Sequence, residues 1–325
     1  MANPQPHFLS FFLAPIAKIG AVYSARRLRQ KAWVAPVPVV CCGNLTTGGT
    51  GKTTVVLDLM VRLQAQGIIV HALIRGYKGC LKGPVQVIPQ KHTARDVGDE
   101  ALLLAAKGPT WVGGDRVASA RLAVEAGAQC LIMDDGFQNP KLFKNLSLLI
   151  IDGAVGVGNG CVLPAGPLRE PVWQGLKRAD AVLLIGQDQT GFLPKYTPFL
   201  TQKQTLKAHL KTEMPLSSCG KDAAYIAFAG LGRPKKFFDG LRAAQVKVVK
   251  KVAFPDHYFY TLADLEKLYA LAAMYKARLL TTPKDAVRLP VDFREHVTIA
   301  EVSLLWEDES ALRMLLEKIT TRFSA

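Results

Sequence analysis

Gly48-Gly49-Thr50-Gly51-Lys52-Thr53 follows the apolar run Val37 to Cys42 and opens an amphipathic stretch that ends near Gln66. A strand, a glycine-rich turn and a helix in that order predict a phosphate-binding loop. Glycines let successive backbone N–H groups curl around a phosphate, and the helix N-terminus adds positive potential. Lys52 then reaches the β and γ oxygens, while Thr53 offers its hydroxyl to Mg²⁺. The strict spelling would have glycine at position 46, where Thr46 stands. The expected nucleotide-binding set is Gly48, Gly49, Thr50, Gly51, Lys52, Thr53 and Thr54.

Around this loop, short apolar runs alternate with helix-like segments, the pattern of a mostly parallel sheet with crossover helices. Strands are expected at Val37 to Cys42, Ile68 to Leu73, Cys130 to Met133, Leu146 to Ile151 and Ala181 to Ile185. Between about Gly186 and Lys221 the alternation gives way to Gly, Pro, Thr, Gln and Lys, which marks a boundary. A second alternation follows, with strands at Ala223 to Ala229, Val246 to Phe254, Leu279 to Thr282 and Val297 to Leu304. The expected fold is α/β: a doubly wound, mostly parallel sheet of the P-loop NTPase type with a second, smaller α/β domain. Its parts are an N-terminal helix in residues 1–32, a P-loop domain in 33–215 and the smaller domain in 216–325.

The chain's 325 residues suit two domains on the usual length prior. Hydrophobic residues at 49% and charged residues at 21% exclude disordered, collagenous and coiled-coil classes. Lys and Arg number 41 against 26 Asp and Glu, and the net charge of +15 favours polyanionic partners: nucleic acid, nucleotide or an anionic membrane surface. Six scattered cysteines without metal spacing point to a reducing compartment. No apolar stretch reaches the ~18 residues of a membrane span. The N-terminus is nevertheless distinctive, because Lys18, Arg26, Arg27, Arg29 and Lys31 all precede the first acid, Asp58. At helical spacing Phe8, Phe12, Ile16, Ile19 and Tyr23 share one face, and Ser10, Ala14, Ala17 and Ala21 the other. This is the pattern of an interfacial helix and equally that of a helix docked on the core.

A P-loop needs a nearby acid for its metal, and the apolar run Leu131-Ile132-Met133 ends in Asp134 and Asp135. The carboxyl ends of strands are where open α/β sheets take ligands. Thr282-Pro283-Lys284-Asp285 lacks the spacing of a guanine-reading element, so ATP is the expected nucleotide. Gly98-Asp99-Glu100 places acids at a helix start, readable as capping or as chemistry. His257 lies on a loop after a strand, and alone such a histidine is usually solvated.

Together these segments resemble the tetraacyldisaccharide 4′-kinase family. The resemblance is carried by Gly43-Asn44-Leu45-Thr46 with the P-loop, Arg75-Gly76-Tyr77, Gly98-Asp99-Glu100 and Asp134-Asp135-Gly136-Phe137-Gln138. It continues through Leu163-Pro164-Ala165-Gly166-Pro167-Leu168-Arg169-Glu170, Phe254-Pro255-Asp256-His257 and Lys284-Asp285-Ala286-Val287-Arg288-Leu289. It implies transfer of the ATP γ-phosphate to the 4′-hydroxyl of a tetraacyldisaccharide 1-phosphate, with Mg²⁺, giving lipid IVA. Carried onto this sequence, it makes Lys52 catalytic, Thr53, Asp134 and Asp135 metal-binding, Asp99 the base and His257 its support. It sets Arg75, Arg169 and Glu170 toward the substrate. An acylated acceptor further implies a peripheral or monotopic enzyme on the cytoplasmic face of the inner membrane, with no nucleic-acid partner. The chain departs from the family's usual spelling at Ile74, Lys78 and Asn139. From the residues alone, a P-loop ATPase switch bound to membrane or nucleic acid is the alternative; it would need neither Asp99 nor His257.

Overall fold

The computed structural model describes residues 8–28, 30–215 and 223–320. Helix α1 (Phe8–Arg27) leads into β1 (Val39–Gly43), α2 (Lys52–Gln64), β2 (Val70–Ile74), β3 (Val85–Gln86), α3 (Ala94–Val97), α4 (Asp99–Ala105) and β4 (Thr110–Val112). Then come α5 (Arg116–Glu125), β5 (Cys130–Asp134), β6 (Leu146–Asp152), α6 (Val172–Arg178), β7 (Ala181–Ile185), α7 (Phe192–Leu200) and β8 (Gln204–Glu213). The remainder is β9 (Tyr225–Ala229), α8 (Pro234–Ala243), β10 (Val248–Ala253), α9 (Leu262–Met274), β11 (Arg278–Thr281), α10 (Pro283–Ala286), α11 (Val291–Arg294), β12 (Val297–Ile299), β13 (Glu301–Trp306) and α12 (Glu309–Thr320).

Every residue of β1, β2, β5, β6 and β7 is buried, which explains why these strands are unbroken apolar runs. Alternation within β1 divides the core in two. Val40 and Cys42 pack with Val55, Leu59 and Leu63 of α2 and with Leu312 and Leu316 of α12. Val39 and Cys41 pack on the opposite face with Ala120 of α5, Leu176 of α6 and Phe192 of α7. The result is a sheet sandwiched between helices.

The large sheet runs β13-β8-β7-β6-β1-β5-β2-β4-β3, and a small one runs β10-β9-β11-β12. β1 pairs in parallel with both β5 and β6, so their carboxyl ends flank the turn after β1. The doubly wound expectation agrees with this arrangement. One stretch and one boundary differ from the sequence reading. Residues 186–215 hold α7 and β8, and β8 is an inner strand between β7 and β13. The run expected as one strand, Val297 to Leu304, splits at the buried Ala300: β12 stays with β11 in the small sheet, whereas β13 joins β8 antiparallel in the large one. Residues 301–320 therefore belong to the large unit, not to the smaller domain expected at 216–325.

In α1, Phe12, Ile16 and Val22 are exposed while Ser10 and Ala17 are buried, so the helix docks through its small residues and turns large apolar ones outward. The side chains of Phe8, Ile19 and Tyr23, and residues 1–7, lie outside the described set. Among the described residues no helix is long and apolar enough to cross a membrane.

Candidate active site

The turn after β1 is shaped by Gly51, which caps α2 at φ 89°, a left-handed conformation that glycine adopts without steric cost. A Cβ added at Gly48 or Gly49 would meet no atom within 4 Å, so the loop's mouth is open. Lys52 Nζ donates to Asn44 Oδ1 at 3.1 Å and stands 3.5 Å from Asp135. Thr53 Oγ1 donates to Asp134 Oδ2 at 2.9 Å. The hydroxyl and the carboxylate expected to share a cation are thus side by side.

Parallel pairing of β1 with β5 sets Cys42 opposite Asp134 and brings that acid beside the loop. Burial, reinforced by the charges of Glu100 and Asp135, pushes the Asp134 carboxyl up to about 7, although Lys52 and Thr53 oppose the shift. Its Oδ1 is buried without a hydrogen-bond partner, and so is Thr50 Oγ1. Two orphaned oxygen atoms beside an open phosphate loop are what a ligand would satisfy. Asp135 has φ +54°, which turns its side chain out of strand direction. Burial works to raise this carboxyl as well, but Lys52 and Arg169 outweigh it and hold it below the ordinary range. Among the described residues no three His, Cys, Asp or Glu side chains cluster as a closed metal cage. The oxygen donors of Thr53 and Asp134 fit a hard cation such as Mg²⁺, which usually keeps waters and takes phosphate oxygens beside one or two carboxylates.

Arg169 Nη1 donates to both Asp135 oxygens at 2.8 and 3.0 Å and to Gln138 Oε1 at 3.2 Å. Glu170 differs from the expectation that it faces substrate. It is fully buried, and its carboxylate accepts two bonds from Arg178 and one from Gln138. Alternation along the chain turns Arg169 toward the site and Glu170 inward, so Glu170 holds neighbours in place. Arg75 is exposed just beyond β2.

A second centre lies at the junction of the sheets. Asp99, the first residue of α4, is buried, and its Oδ2 is 2.8 Å from His257 Nδ1. Burial would raise the Asp99 carboxyl, yet the bond from His257, with the charges of Lys284, His257 and Arg288, holds it low. The imidazole meets the edge of the Tyr77 ring, 5.5 Å between centroids, and Asp256 stands 3.8 Å from its Nε2. Glu100 pairs with Lys284 of α10, a second link between the sheets. Near the P-loop, Arg233 bonds the Gly49 carbonyl, and with Lys236 it grips the buried Asp152 at the end of β6.

The structure therefore assembles Lys52, Thr53, Asp134, Asp135 and Arg169 around the loop, and joins Asp99 with His257 where the two sheets meet. Sequence reading missed Asn44, Gln138, Arg178, Asp152, Arg233 and Lys236 as contributors. Asn44 and Gln138 stood within the quoted motifs, but Asp152 and Arg233 carry no local signal.

The family model described as Tetraacyldisaccharide-1-P 4'-kinase matches residues 9–321. A tetraacyldisaccharide 4'-kinase of Gluconacetobacter diazotrophicus is 55% identical over 306 residues, 94% of this chain and 92% of that protein. One from Gluconobacter oxydans is 50% identical over 315 residues, covering 97% and 95%. The crystal structure of LpxK from Aquifex aeolicus in complex with ATP superposes with a TM-score of 0.76 at 30% identity, covering 96% of this chain and 99% of that one. On fold, coverage and sequence alike, the chain belongs to the tetraacyldisaccharide-1-P 4'-kinase family.

Proposed function

We propose that this chain transfers the γ-phosphoryl group of ATP to the 4′-hydroxyl of a tetraacyldisaccharide 1-phosphate in lipid A biosynthesis. The observation that carries the reading is a P-loop accompanied by an Asp–His pair that joins the two sheets. A switch ATPase has no use for a base aimed at an alcohol. Glu100, next to Asp99 in sequence, works to raise the Asp134 carboxyl, which supports a pair close to the phosphate site.

In this reading the residues of the loop from Gly48 to Thr54 cradle the phosphates, and Lys52 sets positive charge against the transferring group. Asp99, ionised at neutral pH, accepts the hydroxyl proton, while His257 Nδ1–H orients its carboxylate. Thr53 and Asp134, with Asp135 alongside, would hold Mg²⁺, which neutralises phosphate charge when bound. Arg169 keeps Asp135 aligned, and Arg75, exposed beside Tyr77, suits contact with an anionic headgroup. The outward Phe12, Ile16 and Val22 of α1, followed by Arg26 and Arg27, support a seat on the anionic cytoplasmic face of the inner membrane, where an acylated acceptor resides. No nucleic-acid partner is part of this reading.

The test is incubation with γ-labelled ATP, Mg²⁺ and the tetraacyldisaccharide 1-phosphate in mixed micelles. Label on the lipid is expected and chelation should abolish it; ATP hydrolysis without labelled lipid would restore the switch reading.

A further inference from the structure

Arg288 lies outside the phosphate loop, the acidic pair and the Asp99–His257 pair, yet its side chain is only 1% exposed. A cation so far removed from water has to be matched by charge and hydrogen bonds. Its Nε donates to the Lys284 carbonyl at 2.9 Å, and its Nη1 to the Tyr258 carbonyl at 3.0 Å. Its Nη2 donates to the Gly230 carbonyl at 3.0 Å and to Asp285 Oδ1 at 2.7 Å. The same Asp285 oxygen accepts the Gly230 N–H and the Tyr260 hydroxyl.

These partners bracket His257. Its N–H donates to the Gly230 carbonyl at 3.1 Å, and Tyr258 is its chain neighbour. One planar fork therefore ties the turn after β9 to the loop after β10. That loop needs a tie, because His257 sits at φ +57°, a left-handed conformation that a non-glycine residue adopts only at a steric cost. Arg288 Nε also stands 3.7 Å from Asp99 Oδ2, the oxygen that meets His257.

We propose that Arg288 is the positioning residue of the Asp99–His257 pair: its fork holds the histidine loop in register with Asp99 across the two sheets, and its buried charge faces the oxygen they share. It touches no reacting atom. The inference rests on the proposed base role of Asp99. Other groups around the pair are accounted for locally: Lys284 is matched by Glu100, Asp285 accepts from the guanidinium Nη2, and Asp256 stands near His257 Nε2. Tyr260 donates to Asp285, and the Lys78 amine is engaged by the Asp256 carbonyl.

The experiment compares full-length wild type with Arg288→Lys and Arg288→Gln in the lipid phosphorylation assay from pH 5 to 9. Arg288→Gln should lower kcat roughly 10- to 100-fold, as misplacement of a catalytic group does, with KM for ATP unchanged. Loss of the cation beside Asp99 should also move the acid limb of its kcat profile to higher pH. Arg288→Lys keeps the charge but cannot span both loops, so it should lose turnover with the acid limb in place. Wild-type kcat and pH profile in either variant, or a loss confined to the KM for ATP, would overturn the assignment. Failure of both variants to fold would overturn it too, making Arg288 a folding residue. Asp99→Asn is run alongside. Full turnover there removes the base reading itself, whereas an inactive Asp99→Asn beside a normal Arg288→Lys removes only the role of Arg288.

Discussion

His257 Nδ1 and Asp99 Oδ2 meet at 2.8 Å although 158 positions separate the two residues, and each is held by a different sheet. Asp99 opens α4 beside the large sheet; His257 follows β10 of the small one. The pair therefore exists only while the two units are docked. Under the proposed reading, a base completed by docking would tie proton transfer to the seating of one unit on the other.

Asp99→Ala and His257→Ala should each lower kcat about 10²- to 10⁴-fold, the usual worth of a placed acid–base group. The double variant should lose less than the product of the two, because removing either member already disables the unit. Steady-state kinetics on all three variants checks this; multiplicative losses would mean that the two side chains act separately.

Lys52→Ala should cost about 10²- to 10³-fold in kcat by withdrawing charge from the transferring phosphoryl group. The same lysine stands 3.5 Å from Asp135 and opposes the rise of the Asp134 carboxyl, so its loss also leaves two acids less balanced. Calorimetry should show weaker ATP binding together with the kinetic loss. Normal turnover would separate the loop from catalysis.

Much of this was legible in the chain. The buried parallel strands announce themselves as apolar runs because both their faces are covered, and the P-loop is spelled by its glycines, Lys52 and Thr53. β8 was not legible: Gln204–Glu213 alternates buried Leu206 and Ala208 with exposed lysines, amid the Pro and Gln residues of a linker-like stretch. Nor was the break at Ala300, since one apolar run feeds two sheets and no turn residue marks the switch. Pairings such as Asp152 with Arg233 depend on how the units dock, which local spacing does not encode. Asp99 and His257 stand out only through the family resemblance, because a helix-start acid and a loop histidine carry almost no signal alone.

Asp152 ties the units electrostatically, accepting from Arg233 at 2.7 Å and Lys236 at 3.1 Å. Burial works to raise its carboxyl, but Lys236 and Arg233 outweigh that and hold it below the ordinary value. A depressed folded value means that its contribution is complete above the unfolded pKa of about 3.9 and fades only as pH falls through the lower folded value. Asp152→Asn should therefore destabilise the protein equally at pH 6 and pH 8, by about 1 kcal/mol given its half-exposed partners. The gap should narrow toward pH 3. Urea denaturation at the three pH values measures it, and a gap that changes between pH 6 and 8 would implicate another group.

Glu170 separates support from substrate contact. Its carboxylate receives Arg178 at 2.5 and 2.8 Å and Gln138 at 3.0 Å; Gln138 in turn accepts from Arg169, which grips Asp135. A chain of bonds thus runs from the core to the acid beside Lys52. Glu170→Ala strands Gln138 and half-buried Arg178, so stability should fall by about 1–3 kcal/mol. Loosened Arg169 and Asp135 should reduce kcat, while KM for the lipid stays near wild type because no Glu170 atom reaches the surface. Glu170→Gln keeps the volume and one acceptor and should recover part of both losses. Were Glu170→Ala to raise the lipid KM with stability intact, the residue would have to contact substrate in a conformation that exposes it.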